Sequence, residues 1–174
     1  AAVSSVFTSM TSEFALTGVG GGGAMMCYEN GKEPLIYDFF VDTPPRKGSE
    51  KLDFFSIDVD FGNSIQTFHI GKGSAAVPGT LLGLITIHEQ FGILPLRVVL
   101  EPAISLARKG SVLSKEQAYV FKLLDPIFSH TKEGMKLFYS DDKLLSEGKK
   151  FVNSDFADFL ERVAKEGAQF FYLG

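Results

Sequence analysis

The segment Gly18-Val19-Gly20-Gly21-Gly22-Gly23 constrains this chain more than any other. Four adjacent glycines carry too much backbone entropy to continue a helix. Upstream, Val3, Phe7, Met10 and Phe14 recur every three or four residues, the spacing of an amphipathic helix within 1–17. Downstream, Ala24–Glu29 reads as a strand. A tight helix-to-strand crossing, in which backbones touch, is therefore expected. The direction matters, because Gly18–Gly23 also fits G-x-G-x-x-G, with Asp42 near the place of a ribose-binding acid. A nucleotide fingerprint runs strand, turn, helix, so that phosphate meets a helix N-terminus. Here a helix enters and a strand leaves, which argues against a nucleotide.

Beyond the crossing, Asn30-Gly31 predicts a two-residue type I′ hairpin, with Pro34–Val41 as the return strand and Pro44-Pro45 as its stop. Residues 42–66 read as a polar excursion with a second hairpin around Asp53–Phe61, and Thr67–Ile70 as a short strand. Val77-Pro78 opens a helix over about 79–91, with Leu81, Leu84, Ile85 and His88 on one face, Leu82 and Ile87 widening it, and Gly92 as its stop. Pro95 and Pro102 each suit a first helical turn, so two short helices are expected, with Ile104, Leu106 and Ala107 buried and Gly110 as the stop. Ser114 with Gln117 has the capping-box spacing for a helix of about 115–130, and Ser154 caps another of about 155–166 closed by Gly167. The first helix has no capping residue before Ala1, and there is no initiator Met. That start predicts a helix beginning further upstream, in a larger domain.

Charge and motifs exclude several functions. Lys+Arg 17 against Asp+Glu 21 leaves no basic footprint for nucleic acid. No apolar run approaches the roughly 20 residues of a membrane span. The single cysteine, Cys27, reads as an inert buried thiol. Gly71-Lys72-Gly73-Ser74 fails as a phosphate loop, since glycine follows the lysine. His69, His88 and His130 lie far apart and outside any H-E-x-x-H, so no metal site is expected. No G-x-S-x-G is present, and Asp141-Asp142 reads as a solvated turn. The chain shows no self-sufficient catalytic constellation.

Four stretches nevertheless carry a resemblance. Thr17-Gly18-Val19-Gly20-Gly21-Gly22-Gly23-Ala24-Met25 looks like the S-G-I-G-G-G-G-F-M segment of gamma-glutamyltransferases. Val77-Pro78-Gly79-Thr80, with Gly83 and Phe91-Gly92, is similar to that family's V-P-G-T turn and the helix after it. Leu94-Pro95-Leu96 and Glu101–Gly110 resemble its l-P-w and P-A-i-x-L-A-x-x-G segments, and Gly167–Gly174 its G-x-x-x-F-Y-x-G. The matches keep the family's order across the whole chain. The resemblance implies an α+β chain contributing to the αββα sandwich of an N-terminal nucleophile hydrolase. Residues of about 1–91 would supply sheet and layer helix, and about 92–174 a peripheral helical excursion. It further implies the central part of the large subunit of a self-cleaving precursor. The partners would be the remaining large-subunit segments, the small subunit and a gamma-glutamyl or related amide substrate, with no cofactor or metal. The nucleophile would be a threonine outside these residues, its own α-amino group acting as base.

One family residue falls inside the chain. The return strand of the hairpin normally reads D-F-R-E-x-A-P, and its arginine binds the substrate α-carboxylate. Aligning Asp38-Phe39 and Pro44 places Phe40 at the arginine and Val41 at the acidic position. A charge-assisted pair contributes on the order of 1.5–3 kcal/mol and an unpaired buried carboxylate costs more, so its loss weakens γ-glutamyl recognition roughly ten-fold to several hundred-fold unless another cation substitutes. Arg46 is the nearest basic candidate, with a solvated loop arginine as the alternative. Phe40 fits a homologue acting on a different acyl amide, or one acting as a non-catalytic structural module.

Overall fold

The apolar stripe of the first segment folds as expected: α1 spans Ala2–Ser12 and buries Val3, Phe7 and Met10. The computed structural model describes residues 1–44 and 52–173. After the glycine run come β1 (Ala24–Cys27) and β2 (Leu35–Asp38), then β3 (Phe55–Asp60), β4 (Ile65–Ile70) and a 3-10 turn at Lys72–Ser74. α2 (Thr80–Phe91), α3 (Leu96–Lys109), β5 (Ser111–Val112), α4 (Lys115–Leu123), α5 (Asp125–Phe128) and α6 (Lys132–Phe138) follow. β6 (Tyr139–Ser140), β7 (Lys143–Leu144), β8 (Lys150–Phe151), α7 (Ser154–Glu166) and α8 (Gln169–Leu173) complete the order. The class is α+β, as expected. Among the described residues the strands pair as four antiparallel two-stranded sheets, β1-β2, β3-β4, β5-β8 and β6-β7.

Two units share the chain. One comprises the described parts of Ala1–Pro45, Ala76–Leu106 and Ser154–Gly174. Its core collects Phe7 and Met10 from α1, Leu81 and Leu84 from α2, Leu100 and Ala103 from α3, and Ala157, Leu160 and Val163 from α7, all nearly inaccessible. Phe14 stays half-buried beyond α1, edge-on to Phe156 at 5.9 Å. The other unit comprises the described parts of Arg46–Ala75 and Ala107–Asn153. Phe121, Phe128, Phe138 and Phe151 form its aromatic centre. Phe128 stacks on Phe138 at 3.8 Å, and Phe121 meets the other three edge-on at 5.1–5.7 Å. Each such pair adds about 0.5–1.5 kcal/mol beyond its buried area. The Tyr139 hydroxyl donates to the Asp125 carboxylate, and that bond, followed by burial, pushes the tyrosine pKa up.

Several expectations change. The hairpin pairs Met26 with Ile36 and Cys27 with Leu35, one residue out of the register a two-residue loop imposes. In the register of a two-residue loop Pro34 would face Cys27 in a hydrogen-bonded pair and has no N–H to give; in the observed register, where Gly23 and Phe39 exchange both bonds, it falls at a non-hydrogen-bonded place opposite Tyr28. Asn30 is not left-handed; only Gly31 is, at φ 79, in a turn closed by the Lys32 N–H on the Glu29 carbonyl at 3.0 Å. The two-residue turn with both residues left-handed lies instead at Asp141-Asp142, φ 52 and 58, joining β6 to β7. The expected hairpin at Asp53–Phe61 is the first strand of a longer one, β3 pairing with the Thr67–Ile70 strand.

Pro102 does not divide the helices: α3 runs through it as one helix. Val98, Glu101 and Pro102 are exposed while Val99, Leu100, Ala103, Ile104 and Ala107 are buried, so the proline costs its hydrogen bond on the solvent side. Leu106 is half-buried rather than buried. Gly110 (φ 77) and Gly167 (φ 73) close α3 and α7 in the left-handed conformation. Gly92 ends α2 at φ −76 instead; a side chain there would meet the His88 carbonyl oxygen at 2.3 Å. The Ser114/Gln117 capping box forms both of its bonds. Its helix ends by Leu124, ahead of Pro126, rather than reaching 130.

Candidate functional site

Phe40 sits where three segments meet. The β1-β2 ladder extends one pair past the strands: the Phe39 N–H donates to the Gly23 carbonyl at 2.9 Å, and Gly23 returns the bond at 3.2 Å. Beyond Phe40, Asp42 exchanges bonds with Val77, 3.2 Å from the Asp42 N–H and 2.8 Å from the Val77 N–H. Between these anchors the Phe40 N–H donates to Asp38 Oδ1 at 3.0 Å. Backbone pairing on both sides fixes the height and direction of Phe40.

The glycine run and the Val77–Thr80 turn make this junction possible. A Cβ at Gly22 would lie 2.5 Å from the Val41 nitrogen, and one at Gly79 would lie 2.1 Å from the Phe39 carbonyl oxygen. Gly83, one turn into α2, leaves room for the Phe39 ring; a Cβ there would lie 2.3 Å from Phe39 Cγ. The Gly21 carbonyl accepts the N–H groups of Gly79 (3.1 Å) and Thr80 (3.2 Å), which α2 cannot satisfy internally. The backbone contact expected at the glycine crossing is thus present, with the segment carrying Phe40 wedged against it.

Exposure alternates along 38–42: Asp38, Phe40 and Asp42 are the more open positions of the strand exit, and Phe39 is packed against Gly83. Phe40 is 72% exposed and shares an outward face with Ile36, 70% exposed, and with Met26, 67% exposed, which pairs with Ile36 across the ladder. The surface around Phe40 therefore combines apolar side chains with two carboxylates. An anionic group placed there meets repulsion from Asp38 and Asp42 and no charge-assisted donor from Phe40. Arg46, the possible substitute cation, lies outside the described residues.

The other sequence candidates are dispersed. Cys27 is half-buried, not buried, and lines a cavity of about 660 Å³ with Met25, Tyr28, Ile87 and His88. His69 stacks on Phe54 at 4.8 Å, and His130 lies over Phe55 at 4.6 Å. Among the described residues no three His, Cys, Asp or Glu side chains gather as metal ligands, and no helix is long and apolar enough to cross a membrane. Sequence reasoning missed the partnership of Gly21 with α2, and the Tyr172 hydroxyl that reaches the same helix from α8. The motif residues were visible; their meeting was not.

The family model described as Gamma-glutamyltranspeptidase matches residues 1–174. The chain is 33% identical over 181 residues to the glutathione hydrolase proenzyme of Pseudomonas aeruginosa, covering 100% of this chain and 30% of that protein. It is 31% identical over 162 residues to the capsule biosynthesis protein CapD proenzyme of Bacillus anthracis, covering 93% of this chain and 26% of that protein. The solved gamma-glutamyltranspeptidase of Helicobacter pylori matches the fold at a TM-score of 0.81 with 27% identity, over 99% of this chain and 49% of that one. The chain spans less than a third of the length of either curated relative.

Proposed function

This chain belongs to the gamma-glutamyltranspeptidase family, and we propose that it supplies one wall of an acyl-binding pocket in a threonine-dependent acyl transferase or hydrolase. The nucleophile lies outside these residues. Its hydroxyl attacks the amide carbonyl while its α-amino group takes the proton; the amine leaves, and water or a second amine resolves the acyl ester. The remaining large-subunit segments and the small subunit of the same precursor complete the pocket.

The observation that carries this reading is Phe40. Aligning Asp38-Phe39 and Pro44 with the family's pattern puts it at the arginine position, and it lies on a segment paired on both sides and set against the glycine run and the Val77–Thr80 turn. With Asp38 and Asp42 beside it, the exposed ring favours an acyl group without the α-carboxylate, which makes a related acylase or amidase the second reading.

The test compares two anilides on the full-length protein: γ-glutamyl anilide and 4-aminobutyryl anilide, which differ only by that carboxylate. The native protein is expected to prefer the second. Phe40→Arg should raise kcat/KM for the γ-glutamyl substrate roughly ten-fold to 150-fold, the worth of one charge-assisted pair. Native turnover that favours γ-glutamyl anilide and is indifferent to Arg46→Ala would sink the carboxylate argument.

A further inference from the structure

α2 begins without a side-chain cap of its own: its N-cap is Gly79, and its first N–H groups look outward for acceptors. Gly21 takes two of them, as described above. The third comes from far along the chain. The Leu82 N–H donates to the Tyr172 hydroxyl at 3.2 Å, and that hydroxyl donates in turn to the Pro78 carbonyl at 2.8 Å. One half-buried phenol thus bridges the last residue before the Gly79 cap and the third residue of α2, closing the turn like a staple.

What the staple holds is the wall that carries Phe40. Val77 is paired with Asp42, and Gly79 lies against the Phe39 and Phe40 carbonyls so closely that a Cβ would stand 2.1 and 3.0 Å from their oxygens. If Pro78–Leu82 shifts, the pairing on one side of Phe40 shifts with it, and the Gly21 contact on the other side loosens.

We propose that Tyr172 is a positioning residue for the acyl pocket: its hydroxyl closes the N-terminus of α2 and so fixes the Val77–Thr80 turn against the strand exit bearing Phe40. The proposal rests on the function proposed above, but one of its readouts does not need activity. Tyr172→Phe keeps the ring and removes only the two hydrogen bonds. Tyr37→Phe is the matched control, since it removes a hydroxyl bond to Gln90 at the opposite end of α2.

In the full-length protein, Tyr172→Phe is expected to raise KM for the preferred anilide roughly five-fold to 150-fold, the worth of two neutral hydrogen bonds, with kcat within about two-fold. Tyr37→Phe should lower the melting midpoint as Tyr172→Phe does, yet leave KM unchanged. Hydrogen exchange should quicken in Tyr172→Phe at Leu82 and also at Phe39 and Asp42, which the hydroxyl does not touch. Exchange confined to Leu82, or equal KM changes in the two variants, would overturn the positioning role. A native protein that turns over neither anilide defeats the proposed function alone, and the exchange at Phe39 and Asp42 still decides this one.

Discussion

At Gly79 the backbone φ is −101°, open to any residue, yet the position has no room for a side chain because the Phe39 carbonyl oxygen occupies the place of its Cβ. Gly22 is confined in the same way by Val41 and Phe40, whereas at Gly18 and Gly20 a Cβ would have nothing within 4 Å. The run therefore contains glycines of two kinds. Gly22→Ala and Gly79→Ala should each destabilise by about 1–3 kcal/mol, the usual cost of overpacking. Gly20→Ala should be neutral or stabilise by up to about 1 kcal/mol through the unfolded chain. Melting midpoints of the three variants check this; equal losses would mean the run acts only through its flexibility. The sequence alone shows that four glycines end a helix. It does not show which are crowded, because the crowding atoms belong to residues 39–41, remote in sequence and brought close by folding.

Among the elements, those written in local pattern were legible and those decided by distant contacts were not. α1 and α2 follow from three-to-four spacing, α7 from Ser154 at its start and Gly167 at its end, and the Ser114/Gln117 box from its own four residues. The first hairpin did not follow from Asn30-Gly31, because Pro34 removes the donor on which the tighter register depends. α3 did not follow from its prolines, because the burial of Val99, Leu100, Ala103 and Ile104 outweighs one missing bond at Pro102. Even so, proline in a helix interior carries a cost of up to about 3 kcal/mol relative to alanine. Pro102→Ala should accordingly raise the stability of the full-length protein by about 1–3 kcal/mol, since the restored N–H faces the Val98 carbonyl on an exposed side. A denaturant midpoint that falls in this variant, with unchanged slope, would show that the proline is needed for packing.

For the molecule as a whole, the decisive surface is the outward face of β1-β2. A two-stranded sheet offers open hydrogen-bonding edges, and this one adds Met26, Ile36 and Phe40, each 67% exposed or more, on one side. A formal net charge of −4 over 174 residues provides little repulsion to keep such faces apart. The chain spans less than a third of its relatives' length, and in the proposed function the rest of the protein covers the same face. The 174 residues alone are therefore expected to self-associate at concentrations of about 10–100 μM, with sedimentation velocity showing mass above 19.0 kDa. Met26→Lys with Ile36→Lys, a cross-strand pair on the outward face, should shift the chain toward monomer while leaving the helical signal in circular dichroism intact. A single monomeric boundary for the unaltered chain would show that this face needs no cover, and Phe40 would then be an ordinary exposed ring rather than part of a pocket wall.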